Sequence, residues 1–247
     1  LQGLRVRSDR SNMLEMFVFF CAAILRVTKI ARVKRIEATI CFFSLPIGPL
    51  GLWLKFRLGI PYLISLRGGD VPGLVPELTL IHQLLTPIRR LILSNAQKVI
   101  ANSQELAQRS QRADPFDIVV IPNGVDSGYY SPRPQVGHPD NSRPVKLLFV
   151  GRLQKQKDLP RLLDCLSLAK NTSGFNFELC VVGDGPERKK AVFRSIQLGL
   201  GQQVEWLGWL GKRELRDVYK NADCLVNLSS FEGLPNVVLE AMSCALP

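Results

Sequence analysis

The sequence is poor in the side chains that most metal centres and histidine-dependent active sites require. Its 247 residues include two histidines, His82 and His138, which are far apart in the chain. A His-rich metal site or a Ser-His-Asp triad therefore has little material to be built from. The six cysteines contain no C-x-x-C pair and mostly lie inside apolar runs. We expect reduced, buried thiols rather than disulfides or a zinc site.

Long hydrophobic runs and low-complexity stretches are absent as well. The apolar run at residues 16–25 is ten residues long, whereas a membrane-spanning helix needs about twenty. A signal peptide stays open as an alternative because Arg5, Arg7 and Arg10 precede this run, although no small-residue cleavage site follows it. With 46% hydrophobic and 21% charged residues, the composition is that of a globular chain rather than a disordered one.

Basic residues outnumber acidic ones by 32 to 21, and the excess is concentrated near the N-terminus. Five cations follow the apolar run at helical spacing: Arg26, Lys29, Arg32, Lys34 and Arg35. We predict one helix over residues 13–35, either a domain helix with a solvated basic face or a peripheral contact with an anionic membrane surface. A nucleic-acid partner is not expected, because the cations of residues 145–247 lie at strand-to-helix turns without an interleaved aromatic platform.

Short apolar runs alternate with helical stretches along the rest of the chain. The predicted strands are 38–43, 61–66, 98–102, 117–122, 145–150, 177–182, 203–207 and 223–228, and the predicted helices are 48–58, 77–95, 103–112, one that Asp158 caps, 186–199 and 212–221. This alternation is typical of parallel sheets with right-handed crossovers. We therefore predict an α/β protein with Rossmann-like domains at residues 1–122 and 145–247, joined by a proline-rich linker at residues 123–144.

Two glycine-containing turns follow predicted strands, where open α/β sheets bind their ligands. In residues 151–158, Gly151 lets the backbone approach a ligand, and Arg152 and Lys157 lie beside a helix N-terminus. Two cations and a positive helix dipole suit a diphosphate, although a solvated basic loop is the alternative. The turn at residues 183–187 connects a strand to a helix, and by itself this motif indicates a structural role more than a ligand-binding one.

Two carboxylates, Glu232 and Glu240, follow the last predicted strand eight residues apart. On one continuous helix they would differ in direction by about 80°. If the helix begins near Pro235, Glu232 lies in the preceding loop and Glu240 in the second turn. Both could then reach a ligand at the helix N-terminus, where the N–H groups of Gly233 and Leu234 can hold phosphate oxygens.

Taken in order, these segments resemble family 4 retaining glycosyltransferases of the group 1 type, which have the GT-B fold. The matching motifs are GRLQKQKD (151–158) for the family's G-R-x5-K turn, VVGDGPE (181–187) for its G-x-G-P turn, FEGLPNVVLEAMSCALP (231–247) for its E-x7-E signature, IPNGVDSGYYSP (121–132) for its linker, KVIANSQELAQ (98–108), and IPYLISLRGGDVPG (60–73). The resemblance implies two Rossmann-like domains with a cleft between them. It begins near residue 38, and the chain stops at Pro247, so we expect a fragment that is truncated at both ends and inactive by itself.

The resemblance assigns roles to residues of the second domain. Arg152 and Lys157 would neutralise the donor's diphosphate, Glu232 would bind the transferred sugar, and these three are the implied catalytic residues. Glu240 would hold the ribose. The implied donor-binding set is Gly151, Gly183, Gly208, Leu210, Gly233, Leu234 and Glu240, with Gly208 and Leu210 in the segment that reads the base.

The resemblance also implies the reaction and the acceptor side. A hexose would move with retention of anomeric configuration, the leaving phosphate would help to deprotonate the acceptor, and neither a metal nor a cofactor is expected because no D-x-D motif is present. Arg67 stands where many family members have a histidine, so it either binds an anionic donor or acceptor or marks a subfamily. Gly68, Gly69 and Asp70 would form a loop that contacts a sugar.

The expected partners are a nucleotide-diphosphate sugar and a glycan, lipid-linked or small-molecule acceptor. We expect a cytoplasmic protein, with an anionic membrane surface on the cytoplasmic face as a candidate partner. Two alternatives stay open: another GT-B enzyme, such as a sugar-nucleotide epimerase or a phosphorylase, and a basic membrane- or nucleic-acid-binding module without catalysis. The paired carboxylates and the two cations of the second domain favour the glycosyltransferase.

Overall fold

A computed structural model describes residues 13–75, 78–132 and 143–247. The chain divides into two compact units, Leu1–Asn123 and Gly124–Pro247. Each unit contains a four-stranded parallel sheet, which confirms the predicted α/β class with two parallel sheets. The basic residues Arg5, Arg7 and Arg10 and the middle of the predicted linker lie outside the described residues.

The first unit has the sheet order β1-β2-β3-β4. Its elements are α1 (Met13–Val33), β1 (Thr39–Phe42), α2 (Gly48–Leu58), β2 (Tyr62–Leu66), α3 (Thr79–Leu84), α4 (Thr86–Asn95), β3 (Lys98–Ala101), α5 (Gln104–Ala113) and β4 (Ile118–Val120). The inner strand β2 has neighbours on both sides and is almost entirely buried, as a continuous apolar run in a parallel sheet should be. Within the described residues, no helix combines the length and the apolar character needed to cross a membrane.

The single helix predicted over residues 77–95 is wrong, because the structure divides this segment into α3 and α4. Pro87 lies in the first turn of α4, where its missing N–H group costs nothing, whereas inside a longer helix it would remove a backbone hydrogen bond. The carbonyl of His82 in α3 instead accepts hydrogen bonds from the Thr86 hydroxyl at 2.8 Å and from Arg89 Nη1 at 2.8 Å. These side chains compensate for the interrupted helix.

The second unit has the sheet order β7-β6-β5-β8. Its elements are β5 (Val145–Val150), a single 3₁₀ turn (Lys155–Lys157), α6 (Leu159–Ser173), β6 (Phe177–Val182), α7 (Arg188–Gln197), β7 (Val204–Gly208), α8 (Lys212–Asn221), β8 (Cys224–Leu225) and α9 (Asn236–Ser243). Phe149, Phe177 and Leu179 of β5 and β6 are buried with Leu163 of α6 in one hydrophobic core. The strand predicted over residues 223–228 is shorter, because β8 pairs only with β5 among the described strands and leaves the sheet soon afterwards.

The six cysteines are free thiols in the structure, but the expectation that they are buried holds only in part. Cys41 and Cys244 are buried, and burial raises the pKa of both thiols. Cys21 and Cys165, in contrast, are exposed on α1 and α6. An apolar neighbourhood in sequence does not bury every residue of a helix, because successive side chains point to different faces.

Candidate active site

The turns that follow β5 and β6 pack directly against each other at the carboxyl edge of the second sheet. Gly151 N donates to Val182 O at 3.0 Å, and Leu153 N donates to Asp184 O at 3.0 Å. A Cβ atom at Gly183 would overlap the carbonyl oxygen of Gly151, and Gly183 also has a φ of +123°, a region that disfavours other residues. The tight packing of the two backbones therefore requires the glycine that the sequence places at this turn.

The end of β7 joins the same edge. Gly183 N donates to Gly208 O at 2.7 Å, and Gly208 has a φ of +65°, which marks the point where the chain turns out of the strand. Leu210, the other residue predicted to border the base, is partly buried a short distance beyond. The predicted donor-binding residues Gly151, Gly183 and Gly208 thus lie at three adjacent strand ends.

The 3₁₀ turn Lys155–Lys157 is joined to the loop that follows β8. Gln156 Nε2 donates to the carbonyl oxygen of Phe231 at 2.6 Å, and Ser230 N donates to the carbonyl oxygen of Gln156 at 2.9 Å. Beside these bonds, Lys157 Nζ lies 2.6 Å from Glu232 Oε1, with the two side chains 11% and 24% exposed. The structure therefore brings two of the predicted catalytic residues into a direct ion pair. Sequence reasoning missed the contribution of Gln156.

Arg152 and Asp158 occupy the same turn as Lys157. Arg152 is half-buried immediately after Gly151, at the start of the turn. Asp158 takes the N-cap position of α6, but its backbone is left-handed, with φ 45° and ψ 43°, and its side chain makes no capping hydrogen bond. The predicted capping by the Asp158 carboxylate is therefore wrong. A left-handed N-cap residue differs from the extended conformation in which a side chain usually reaches the first turn.

Glu232 and Glu240 lie as in the alternative in which the helix begins near Pro235. Pro235 is the N-cap residue of α9, so Glu232 lies in the loop before the helix and Glu240 in its second turn. Glu240 is half-buried, and its Oε2 accepts a hydrogen bond from the Tyr219 hydroxyl at 3.0 Å. Sequence reasoning missed Tyr219. The signal available in the sequence was that Tyr219 is a lone aromatic residue in the strongly charged helix α8. The hydroxyl of a buried tyrosine usually needs a hydrogen-bond partner.

The loop predicted to contact a sugar in the first unit is organised by Asp70. Its carboxylate is 3% exposed and accepts backbone hydrogen bonds from Ser44 N at 2.7 Å, Arg67 N at 3.0 Å and Gly68 N at 3.2 Å. Burial raises the pKa of Asp70, and these hydrogen bonds oppose that shift. The carboxylate thus holds the backbone of the loop, and a direct contact with a sugar would require these bonds to break. Gly69, in contrast, is exposed.

Arg67 and His82 also border this loop. The Arg67 guanidinium donates from Nη1 to Asn123 Oδ1 at 2.7 Å and lies 4.7 Å from the centre of the Phe42 ring. His82 is buried, and its Nε2 lies 3.2 Å from the carbonyl oxygen of Gly69. Arg67 is therefore held in one orientation by a hydrogen bond and a cation–π contact.

A cavity of about 610 Å³ lies at the opposite edge of the second sheet. Lys146, Glu178 and Gln203 line it near the amino ends of β5, β6 and β7, together with Asn221 of α8. Volume alone would make this cavity a candidate site. Ligands of open α/β sheets bind at the carboxyl ends of the strands, however, and there the glycine turns and the Lys157–Glu232 pair converge.

Comparison with known proteins identifies two family models that together match almost the whole chain. The model for Glycosyltransferase Family 4 matches residues 2–129, more than half of the chain, and the model for Glycosyl transferases group 1 matches residues 134–247. The expectation that the resemblance begins near residue 38 is therefore wrong, because the match includes the N-terminal residues.

Individual relatives of the chain are glycosyltransferases as well. Over 148 residues the chain is 31% identical to a lipopolysaccharide 1,6-galactosyltransferase of Salmonella typhimurium, a match that covers 58% of this chain and 38% of the relative. Over 229 residues it is 27% identical to a D-inositol 3-phosphate glycosyltransferase of Segniliparus rotundus, covering 81% of this chain and 47% of the relative. The chain thus spans less than half the length of either relative.

Among solved structures, sucrose-phosphate synthase from Thermosynechococcus elongatus superimposes with a TM-score of 0.79 at 20% identity. The superposition covers 96% of this chain and 61% of the synthase. At this level of identity the similarity concerns the fold, and it supports the predicted GT-B architecture.

Replacement of Gly183 by alanine tests the packing of the two glycine turns. We expect Gly183→Ala to lower the free energy of unfolding by at least about 2 kcal/mol, because the methyl group collides with the Gly151 carbonyl and the backbone conformation is strained. Gly201→Ala is the matched control: it adds a methyl group to the same unit, where the nearest atom is 4.0 Å away, and should change stability by less than about 0.5 kcal/mol. Urea denaturation of both variants measures the difference, and equal stabilities would contradict the assigned packing.

Proposed function

Because the chain belongs to Glycosyltransferase Family 4, we propose that the protein transfers a hexose-type sugar from a nucleoside-diphosphate donor to an acceptor hydroxyl, with retention of anomeric configuration and without a metal ion. The observation that carries this proposal is the ion pair between Lys157 and Glu232 beside the glycine turns. A cation for the diphosphate and a carboxylate for the sugar hydroxyls are thereby adjacent at the edge where parallel sheets bind ligands.

Lys157 and Arg152 are proposed to bind the diphosphate. In the structure Lys157 already has an anionic partner, Glu232, at 2.6 Å. A bound diphosphate would compete for the same ammonium group with greater negative charge, and Glu232 would then be released to accept hydrogen bonds from the sugar. The positive end of the α9 dipole, near Gly233 and Leu234, adds to the attraction for phosphate.

The proposed reaction needs no protein nucleophile. The acceptor oxygen forms a bond to the anomeric carbon while the bond from that carbon to the phosphate oxygen breaks, and the departing phosphate takes the acceptor's proton. Arg152 and Lys157 neutralise the negative charge that grows on the phosphate. Glu240 is proposed to hold the ribose, and Arg67, which Asn123 and Phe42 orient, is proposed to bind an anionic donor or acceptor.

A glycan or a lipid-linked sugar is the proposed acceptor, and the protein is proposed to act at the cytoplasmic face of a membrane. On α1, three apolar side chains are exposed beside three exposed cations: Leu25, Ile30 and Val33, with Arg26, Lys29 and Arg32. This combination suits an anionic bilayer surface, where each cation contributes on the order of 1 kcal/mol.

Lys157→Ala should weaken the binding of a nucleoside diphosphate by about tenfold or more, the equivalent of about 1.4 kcal/mol. Isothermal titration of the full-length protein with UDP, GDP and ADP measures the effect. Lys155→Ala is the matched control, because it removes an exposed lysine from the same 3₁₀ turn; we expect its affinity to stay within about twofold. Unchanged binding in Lys157→Ala would exclude the diphosphate role.

Glu232→Ala should reduce turnover more than nucleotide affinity, because Glu232 is proposed to contact the transferred sugar and not the nucleotide. Equal losses of turnover and affinity would exclude the sugar contact.

Cosedimentation with vesicles tests the membrane surface. We expect binding to phosphatidylglycerol vesicles that falls as salt is raised, and weak binding to phosphatidylcholine vesicles. A variant with Arg26, Lys29 and Arg32 replaced by glutamine should bind at least about tenfold more weakly, since three cations are lost. Binding that is insensitive to salt and to these substitutions would contradict the proposal.

A further inference from the structure

Tyr219 holds the carboxylate of Glu240 from inside the second unit. The Tyr219 side chain is 1% exposed, and its hydroxyl lies 3.0 Å from Glu240 Oε2 and 3.3 Å from the carbonyl oxygen of Val237. A tyrosine hydroxyl has one proton to donate, and the ionised carboxylate is both the nearer and the stronger acceptor. The hydrogen bond therefore fixes one oxygen of Glu240.

Tyr130 supports the same carboxylate. Its ring is 4% exposed and meets the Tyr219 ring edge-on, with centroids 5.9 Å apart and an angle of 85°. Its carbonyl oxygen accepts a hydrogen bond from the Ser243 hydroxyl at 2.5 Å, which ties this residue to the last turn of α9. Burial and the neighbouring Glu240 raise the pKa of Tyr130 to about 12, and the same two causes raise the pKa of Tyr219, so both hydroxyls keep their protons at neutral pH.

Packing alone does not require these hydroxyl groups. The two rings fill a core with Leu148, Val150 and Val182, in which phenylalanine would occupy nearly the same space. The hydroxyl groups instead stabilise Glu240, because a half-buried carboxylate is destabilised unless hydrogen bonds within the protein replace those it made to water. A carboxylate held at one oxygen also loses less rotamer entropy when a ligand binds to it.

We propose that Tyr219, supported by Tyr130, is a positioning residue that orients Glu240 toward the ribose hydroxyls of the donor nucleotide. This inference rests on the proposed function, in which Glu240 is the ribose contact. The 2′- and 3′-hydroxyls of a ribose are donors, and an ionised carboxylate is an acceptor only, so their pairing is chemically selective. Tyr219 acts through Glu240 and touches neither the sugar nor the phosphates.

The test compares a ribonucleotide with its 2′,3′-dideoxy counterpart. The tightest binder among UDP, GDP and ADP is titrated into the full-length protein, followed by its dideoxy form. Wild type should prefer the ribonucleotide by at least about tenfold, as expected for hydrogen bonds to a charged acceptor. Tyr219→Phe should reduce this preference by about threefold to tenfold while leaving the dideoxy affinity within about twofold. A purely structural defect would weaken both nucleotides alike.

Tyr62→Phe provides the matched control for loss of a buried hydroxyl. Tyr62 is also 1% exposed, and its hydroxyl donates to the carbonyl oxygen of Ile92 at 2.5 Å in the first unit. This variant should lose stability, measured by Tm, without any change in the ribose preference. Should Tyr219→Phe fail to fold, Tyr130→Phe carries the test. It removes the Tyr130 hydroxyl, which also hydrogen-bonds Glu240, and a smaller loss of the same preference is expected.

Glu240→Gln separates the two ways in which the inference can fail. It should abolish most of the ribose preference. If Glu240→Gln does so and Tyr219→Phe leaves the preference intact, the positioning role is overturned while the proposed function stands. If Glu240→Gln leaves the preference intact, Glu240 is not the ribose contact, and that part of the proposed function is overturned together with the positioning role.

Discussion

The ion pair between Lys157 and Glu232 joins segments that are 75 residues apart in sequence, and the architecture of the second unit makes it possible. Strand β8 pairs with β5 in the sheet, so the loop that leaves β8 meets the turn that leaves β5. The backbone hydrogen bond from Ser230 N to the carbonyl oxygen of Gln156 then fixes the register of the two segments. Without this strand order, Lys157 and Glu232 would not lie next to each other at the carboxyl edge of the second sheet. The candidate site is therefore a consequence of topology first and of side-chain chemistry second.

The environment of each carboxylate separates structural from functional candidates. Asp114 is 1% exposed and pairs with Arg89 and Arg90, and Asp70, which is 3% exposed, accepts backbone N–H groups, so both stabilise the first unit. Glu232 is 24% exposed and pairs with Lys157. Glu240 is half-buried, with its Oε2 held by a tyrosine hydroxyl. Buried carboxylates whose hydrogen-bonding capacity is satisfied by the protein act in the fold, whereas these two glutamates can still exchange or add a partner.

Sequence patterns predicted the parallel sheets and the positions of the strands, although β8 is shorter than expected, because hydrophobic periodicity acts locally. They also offered, as one of two alternatives, the helix that has Pro235 as its N-cap residue. They failed at residues 77–95, where a continuous pattern conceals the effect of Pro87, a local residue at which the helix divides. They also failed where distant residues decide the outcome. Asp70 is a polar loop residue in sequence and a buried acceptor in three dimensions. The lone aromatic residue of α8 marks Tyr219 as a buried hydroxyl in need of a partner, but the local sequence does not identify Glu240 as that partner. The ligand-binding roles of Arg152, Lys157, Glu232 and Glu240 stay predictions.

Hydrogen–deuterium exchange with a bound nucleoside diphosphate locates the donor site, which we propose lies at the carboxyl edge of the second sheet. The full-length protein is compared with and without a saturating concentration of the tightest binder among UDP, GDP and ADP. Binding at this edge should slow the exchange of amides in residues 151–158, 183–187 and 230–236. Protection confined to the residues around the 610 Å³ cavity, at residues 146–147 and 201–205, with none at the glycine turns, would contradict it.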